Sequence, residues 1–471
     1  MSIARSRLAP ALALLALVAC SRPPPTLVAR AESPPPALLV RDVAVLDVAS
    51  GANLPGRDVL ARGDRIAAIA PAGSIPAPVD AEVVDGRGAT LLPGLIDSHG
   101  HVGTGYAPLW QSALPDPAHN LEAYLYCGVT TVLDPADADD GAVARRDALR
   151  RGEILGPRVY TAGRPLTAPD GHPVAMVREL LPWWIGWYLL PRLAHQVPDE
   201  ASARAAVDGL AASGVDFVKV IVDRLPESAP RIGTPVLRAA VDEARGRGLR
   251  AVAHVGTLAD ARDAAEAGVA AWLHGVYTET LAEPDVRELA GFGIPMAPTL
   301  TVFESYALVN DYARVATPLE REIAAPELLE AFNEPPEDLT PYDSFQPFLR
   351  RLREQREGSR ENVRRLHDAG VVILAGSDTQ SGVLPGAGLH RELALLVEAG
   401  LTPAEALRAA TLDPARFLER SDDPDVGQVR EGRRADLLLV EGDPTRDIAA
   451  VSRIRAVIQG GVRLERFPRE P

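Results

Sequence analysis

VDFVKVIVD, residues 215–223, is an apolar, strand-like run with one lysine at its centre. Lys219 is the only lysine in a chain of 471 residues; every other basic charge is carried by arginine or the N-terminus. Seven more apolar runs share this habit in a strand-then-helix rhythm between about residues 94 and 420. They are GLIDSHGH (94–101), GVTTVLDPA (128–136), PRVYTAG (157–163), LRAVAHVG (249–256), VAAWLHG (269–275), GIPMAPT (293–299) and VVILAGSD (371–378). Eight is the number a distorted (β/α)8 TIM barrel requires. The helices between them carry recognisable ends. TLADARDAAEAG stops at Gly268, and LTPAEALRAATL offers Thr402 as N-cap, Pro403 in the first turn and Glu405 to complete a capping box.

A doubly wound open sheet is the alternative fold. The two differ in where polar residues should fall. In a closed parallel barrel, active residues project from the C-terminal ends of different strands. His99 and His101 end the first run, Lys219 sits in the fourth, His254 ends the fifth, His274 the sixth and Asp378 the eighth. That recurrence selects the barrel, spanning residues 94–431.

Both flanks read as β structure. Residues 38–92 alternate short apolar runs with turn signals, Gly63-Asp64 among them, and ADLLLVEGD (435–443) and IRAVIQGGVRL (454–464) do the same around Gly460-Gly461. Residues 38–93 and 432–467 are therefore expected to form one small discontinuous β-sandwich domain. Ahead of them, MSIARSRLAPALALLALVACS joins a basic flank to a short apolar stretch and small residues, which is a secretory signal too short for a comfortable membrane span. LVAC (17–20) resembles a lipobox. Residues 1–20 are thus expected as a lipoprotein signal, 21–37 as a Pro-rich extended tether, and the protein as exported and lipid-anchored through Cys20 to the outer membrane, facing the periplasm. Cys127 is the only other cysteine, so no disulfide framework is expected. A net charge of −15 and the lack of any Lys/Arg-rich run exclude nucleic acid as a partner. A homo-oligomer stays open.

Taken singly, a histidine at a strand end is more often a hydrogen-bonded rim residue than a ligand, and Asp378 could simply cap a helix. Coincidence at five strand ends is a poorer account. His99 and His101 are two residues apart, and alternate residues of a strand face one side, so both imidazoles can reach one metal ion. Lys219 needs its own explanation. A buried ammonium is costly, and for a plain ion pair arginine serves as well. What arginine cannot do is lose its proton and react as an amine. A desolvated lysine beside metal cations can add carbon dioxide and become a carbamate, an anionic ligand with two oxygens able to bridge two divalent ions.

HxH on the first strand, Lys on the fourth, His on the fifth and sixth and Asp on the eighth resemble the amidohydrolase superfamily in its binuclear, carboxylated-lysine form. LLPGLIDSHGHV, CGVTTVLDPA, ILAGSDT and VGQVREGRRADLLLVEGDP are similar to its imidazolonepropionase-like and Xaa-Pro dipeptidase-like branch. The resemblance implies a small-molecule hydrolase with His99, His101 and Asp378 on one metal, His254 and His274 on the other, and carboxylated Lys219 between them. Zinc suits imidazole and carboxylate ligands, with manganese and iron as alternatives. It further implies a bridging hydroxide that attacks the substrate carbonyl, with Asp378 carrying the proton to the leaving group. His172, in TAPDGHPVAM, partly matches a Gly-Gly-His element of related dipeptidases, which would let it contact substrate or polarise the carbonyl oxygen. Tyr277 and Arg224 are candidates for substrate binding on loops at the same mouth.

The implied reaction is hydrolysis of an amide-type C–N bond in a dipeptide, an N-acyl amino acid or a cyclic amide. Ester, lactone or phosphotriester hydrolysis is the alternative chemistry, and a non-catalytic exported binding lipoprotein the alternative class. Two stretches are left over. LLPWWIGWYLLP (180–191) reads as a lid, an interfacial patch or a packed core helix, and residues 302–350 as a mostly helical insertion placed to cover the pocket.

Overall fold

The computed structural model of the protein describes residues 26–469, apart from 112, 113, 139, 140, 181, 182 and 339. The expected signal peptide and Cys20 lie outside the described residues.

Seven of the eight apolar runs contain parallel strands: Leu95–Asp97, Val129–Asp134, Arg158–Thr161, Phe217–Ile221, Arg250–His254, Ala271–Leu273 and Met296–Ala297. The third resumes at Leu166–Thr167, which pairs with the fourth at Val220. The eighth run is extended but makes a single parallel bridge, Met296 to Ile373. Backbone hydrogen bonds carry the ring through its irregular joints. Asp216 N–H donates to Thr161 O (2.8 Å), Leu374 N–H to Met296 O (2.8 Å) and Ser98 N–H to Ala375 O (2.9 Å), which brings the eighth run against the first. The lumen is filled. Ile96, Leu133, Phe217, Val252, Leu273 and Leu374 pack in one buried cluster with Leu418 and Val426, and Arg250 lies over the rings of Phe217 and Phe417 at 4.7 and 4.3 Å. A plugged lumen leaves only the C-terminal rim for a site.

The helix Leu258–Ala267 starts at a Thr257 cap and ends on Gly268 with φ +87°, and Pro403–Ala409 has the expected Thr402–Glu405 capping box. The two chain ends meet as expected. Ala89–Pro93 pairs antiparallel with Leu437–Glu441 and parallel with Ala37–Asp47, so both flanks share one curled eight-stranded sheet with apolar clusters on its faces. Gly460 and Gly461 both have positive φ, at 56° and 75°, which is what a tight two-residue hairpin turn demands.

One boundary differs. The expected tether, 21–37, is not uniformly a spacer: Leu27 and Val28 are buried, and Val28–Ala29 pairs with Glu465–Arg466. Burying a leucine contributes roughly 1.5–3 kcal/mol, against about 1–2 kcal/mol for ordering one residue's backbone. For these two residues burial outweighs that cost, and the ladder together with Leu27 N–H on Glu122 Oε2 (2.6 Å) adds to it.

Above the rim stand the leftover stretches. The first forms helices Val174–Leu180 and Trp183–Leu193, whose Met176, Val177 and Leu193 face the cavity while Trp187 is 79 % exposed, so it is a cover and not a core helix. The insertion supplies Leu300–Leu308 and the start of Gln346–Asp368, which put Phe303, Tyr306 and Phe348 on the opposite wall. Among the described residues no helix is long and apolar enough to cross a membrane.

Candidate active site

The floor of one cavity of about 230 Å³ gathers His99, His101, Lys219, His254, His274 and Asp378, all six of the strand-end candidates. The imidazoles crowd together, with ring centroids 4.6 Å apart for His99 and His274 and 4.0 Å for His254 and His274. Asp378 Oδ1 lies 3.0 Å from His101 Nε2 and 3.5 Å from His99 Nε2, and its Oδ2 lies 3.9 Å from His274 Nε2. His274 and Asp378 adopt φ of +81° and +54°, a left-handed backbone uncommon outside glycine, which the surrounding bonds must hold. For Asp378 one such bond is its own N–H to His99 O (2.5 Å).

Supporting groups fix two of the rings. His101 Nδ1 contacts Ala136 O (3.0 Å) and His274 Nδ1 contacts Thr299 Oγ1 (2.6 Å). Asp97 ties the first strand to the eighth, accepting from His99 N–H (3.1 Å), Ser377 N–H (3.0 Å) and the Ser377 hydroxyl (2.6 Å). A ring held through one nitrogen presents the other in a defined direction, as metal-ligating histidines do.

Burial sets the charges. It pushes His99 and His274 well below the ordinary imidazole range and lowers His254. His101 resists burial because Asp134 and Asp378 hold its proton, raising it to about 10. Asp378 stays ionised, its tendency to rise on burial overcome by His99, His101 and Lys219. Burial pushes the Lys219 amine down to about 7 against the pull of Asp378 and Asp223. Near neutral pH that amine is a mixture of charged and free forms, and the free form is a nucleophile.

Asp223 was not singled out in the sequence, yet it organises the second half of the site. It is 3 % exposed; its Oδ1 lies 2.8 Å from His172 Nδ1, and its Oδ2 accepts from the Tyr277 hydroxyl (3.2 Å) and stands 3.0 Å from His254 Nε2. The signal was present: Lys219 and Ile221 alternate along the strand Phe217–Ile221 and both line the cavity, and Asp223 falls at the next alternate position, two residues past its end. His172 and Tyr277 both line the cavity. Arg224 does not. It is exposed and off the cavity wall, because it follows Asp223 by one residue and turns outward. Asp223→Asn keeps the shape but removes the charge from these hydrogen bonds, which are worth roughly 1.5–3 kcal/mol to a charged group. We expect kcat/KM to drop about 10- to 100-fold with metal content unchanged, checked by steady-state kinetics beside metal analysis. Loss of an ion would make Asp223 a ligand instead.

The donor chemistry fits metal ions. His99, His274 and Asp378 form one group whose ligand atoms lie within 4.8 Å of one another, and His172, Asp223 and His254 form a second. His99 Nδ1 is buried without a hydrogen-bond partner, and His254 Nε2 and Asp378 Oδ1 are buried with only the 3.0 Å ion-pair approaches to Asp223 and His101. Buried polar atoms are normally satisfied, and a cation among these donors would satisfy them.

Imidazoles and carboxylates thus converge on the C-terminal rim of a plugged parallel barrel, in groups that could hold a metal ion. The family model described as the amidohydrolase family matches residues 90–464, and the chain belongs to that family. It is a hydrolase acting on carbon–nitrogen bonds. An imidazolonepropionase of Rubrobacter xylanophilus is 27 % identical over 467 residues, covering 89 % of this chain and 92 % of that protein. An uncharacterised protein of Mycobacterium tuberculosis is 27 % identical over 374 residues, 76 % of this chain and 80 % of its own. Among solved structures, a Xaa-Pro dipeptidase with bound methionine superposes with a TM-score of 0.71 at 22 % identity, covering 91 % of this chain and 99 % of that one, a likeness of fold.

Proposed function

We propose that the protein hydrolyses an amide-type bond of a small molecule using two divalent metal ions and a carboxylated Lys219. The observation that carries the reading is the convergence of His99, His101, Lys219, His254, His274 and Asp378 on one cavity floor. His99, His101 and Asp378 would hold one ion, His254 and His274 the other, with the Lys219 carbamate between them. Zinc ions so held would supply a water acidic enough to be hydroxide at neutral pH and would polarise the scissile carbonyl. Lys219 becomes a ligand by attack of its free amine on carbon dioxide: an N–C bond forms and one proton leaves. Asp378 takes the proton of the attacking water and delivers it to the leaving nitrogen. Asp223 fixes His172 through Nδ1, which leaves Nε2 for the substrate carbonyl oxygen. The group of His172, Asp223 and His254 supports a second arrangement, in which these three hold the second ion. We also place the mature protein outside the cytoplasm, tethered through Cys20.

The test is a panel of dipeptides, N-acyl amino acids, cyclic amides, lactones and phosphotriesters offered to the metal-loaded protein. Turnover of amides that chelation abolishes and zinc restores is expected. Turnover confined to esters, lactones or phosphotriesters, or indifference to chelation, would contradict the reading.

A further inference from the structure

We infer that the groups flanking the scissile bond of the substrate are apolar and carry no carboxylate, as in an aryl or alkyl amide, so that free dipeptides and N-acyl amino acids are poor substrates; this rests on the amide-hydrolase reading. Above the polar floor the cavity wall is hydrocarbon and aromatic. Ile221 and Leu225 come from the fourth strand and its loop, Met176 and Val177 from one covering helix, and Phe303 and Phe348 from the other side. Phe303 stacks on Tyr277 with centroids 3.9 Å apart, which continues the apolar surface toward the floor.

What the described wall lacks is a partner for the carboxylate end of a peptide. Among the described residues no arginine lines the cavity, and its lysine, Lys219, lies 2 % exposed on the floor. Of the arginines near the rim, Arg178 pairs with Asp170 and Arg351 with Glu227, and Arg224 lies off the cavity wall. Among the described lining residues Asp378 is the one carboxylate, and it belongs to the floor. None of the undescribed internal residues is basic. A substrate carboxylate held against this wall would therefore be desolvated with no basic side chain beside it, which is strongly unfavourable. A chain with net charge −15 also repels anions at a distance. The volume of about 230 Å³ lies below the roughly 300–1,000 Å³ of common ligand pockets, so the substrate is compact. Aromatic walls favour a ring in it.

The test compares an N-acyl-4-toluidide with the N-acyl-4-aminobenzoate of the same acyl group, which differ by a methyl in place of a carboxylate. Both turnover and binding to the zinc-loaded protein are measured, binding by thermal shift. The toluidide is expected to lead by at least about tenfold in kcat/KM or affinity. Met176→Arg, at a half-buried wall position, should move that ratio toward the carboxylate by about tenfold. Selective binding of the toluidide without any amide turnover would refute the hydrolase reading and leave this inference standing. Equal or preferential use of the carboxylate, or binding of neither compound, would overturn it.

Discussion

Lys219→Arg is expected to yield a folded protein that no longer keeps its metal complement and has lost about 1,000-fold or more in kcat/KM, roughly 4 kcal/mol of transition-state stabilisation. The substitution preserves positive charge, so a lysine kept merely as an ion-pair partner for Asp378 and Asp223 would tolerate it. It does not preserve chemistry, because a guanidinium stays protonated at any working pH and cannot add carbon dioxide. Lys219 is 2 % exposed and its amine is pushed down to about 7 by burial, so the free amine is available where the guanidinium never is. Metal analysis reads the ligand role directly, and circular dichroism beside it separates loss of the ligand from loss of the fold. Full metal content and turnover in the variant would remove the carbamate from the account. Reconstituting the wild-type protein with zinc in carbon dioxide-free buffer should likewise give poor activity until bicarbonate is added.

Asp378→Asn separates proton transfer from metal binding. Asparagine has nearly the same shape and keeps one oxygen toward His101 and His99, where Asp378 Oδ1 now lies at 3.0 and 3.5 Å. It cannot accept a proton from the attacking water and return it to the leaving nitrogen. A general acid–base group commonly contributes about 100- to 10,000-fold, so kcat should fall by about 1,000-fold. Metal content should fall much less, and KM should change little because the substrate's contacts lie on other residues. Near-wild-type turnover would exclude Asp378 as the proton carrier. Equal collapse of metal and turnover would assign it to metal binding alone.

Much of the floor was legible because two simple regularities act together. A barrel exposes polar residues at the C-terminal ends of its strands, and alternation along a strand tells which of them share a side. His99, His101, Lys219, His254, His274 and Asp378 obey both and meet in one cavity. Asp223 obeys them too, yet beside Arg224, Leu225 and Pro226 it looks like the opening of a turn, so its place behind His172 and Tyr277 emerges only in three dimensions. Arg224 shows the same alternation from the other side, one residue along and facing out. Asp97 was hidden differently: its partners, the Ser377 N–H and hydroxyl, lie 280 residues away. The segment at Leu27 and Val28 was masked by prolines on both sides, which read as a spacer although two apolar residues suffice to dock it. Walls built from the 174–193 and 300–368 helices depend on tertiary packing. The sequence left lid, interfacial patch and core helix open for 180–191, and only the fold shows which side chains face in.

The central claim is that one amine, converted to a carbamate, joins two metal ions at the barrel rim. Diffraction from crystals of the zinc- and bicarbonate-loaded protein tests it most directly. The account predicts a planar three-atom extension on Lys219 Nζ with one ion at each oxygen, His99, His101 and Asp378 on the first and His254 and His274 on the second. A bare Lys219 amine, with the second ion held by His172, Asp223 and His254, would contradict it.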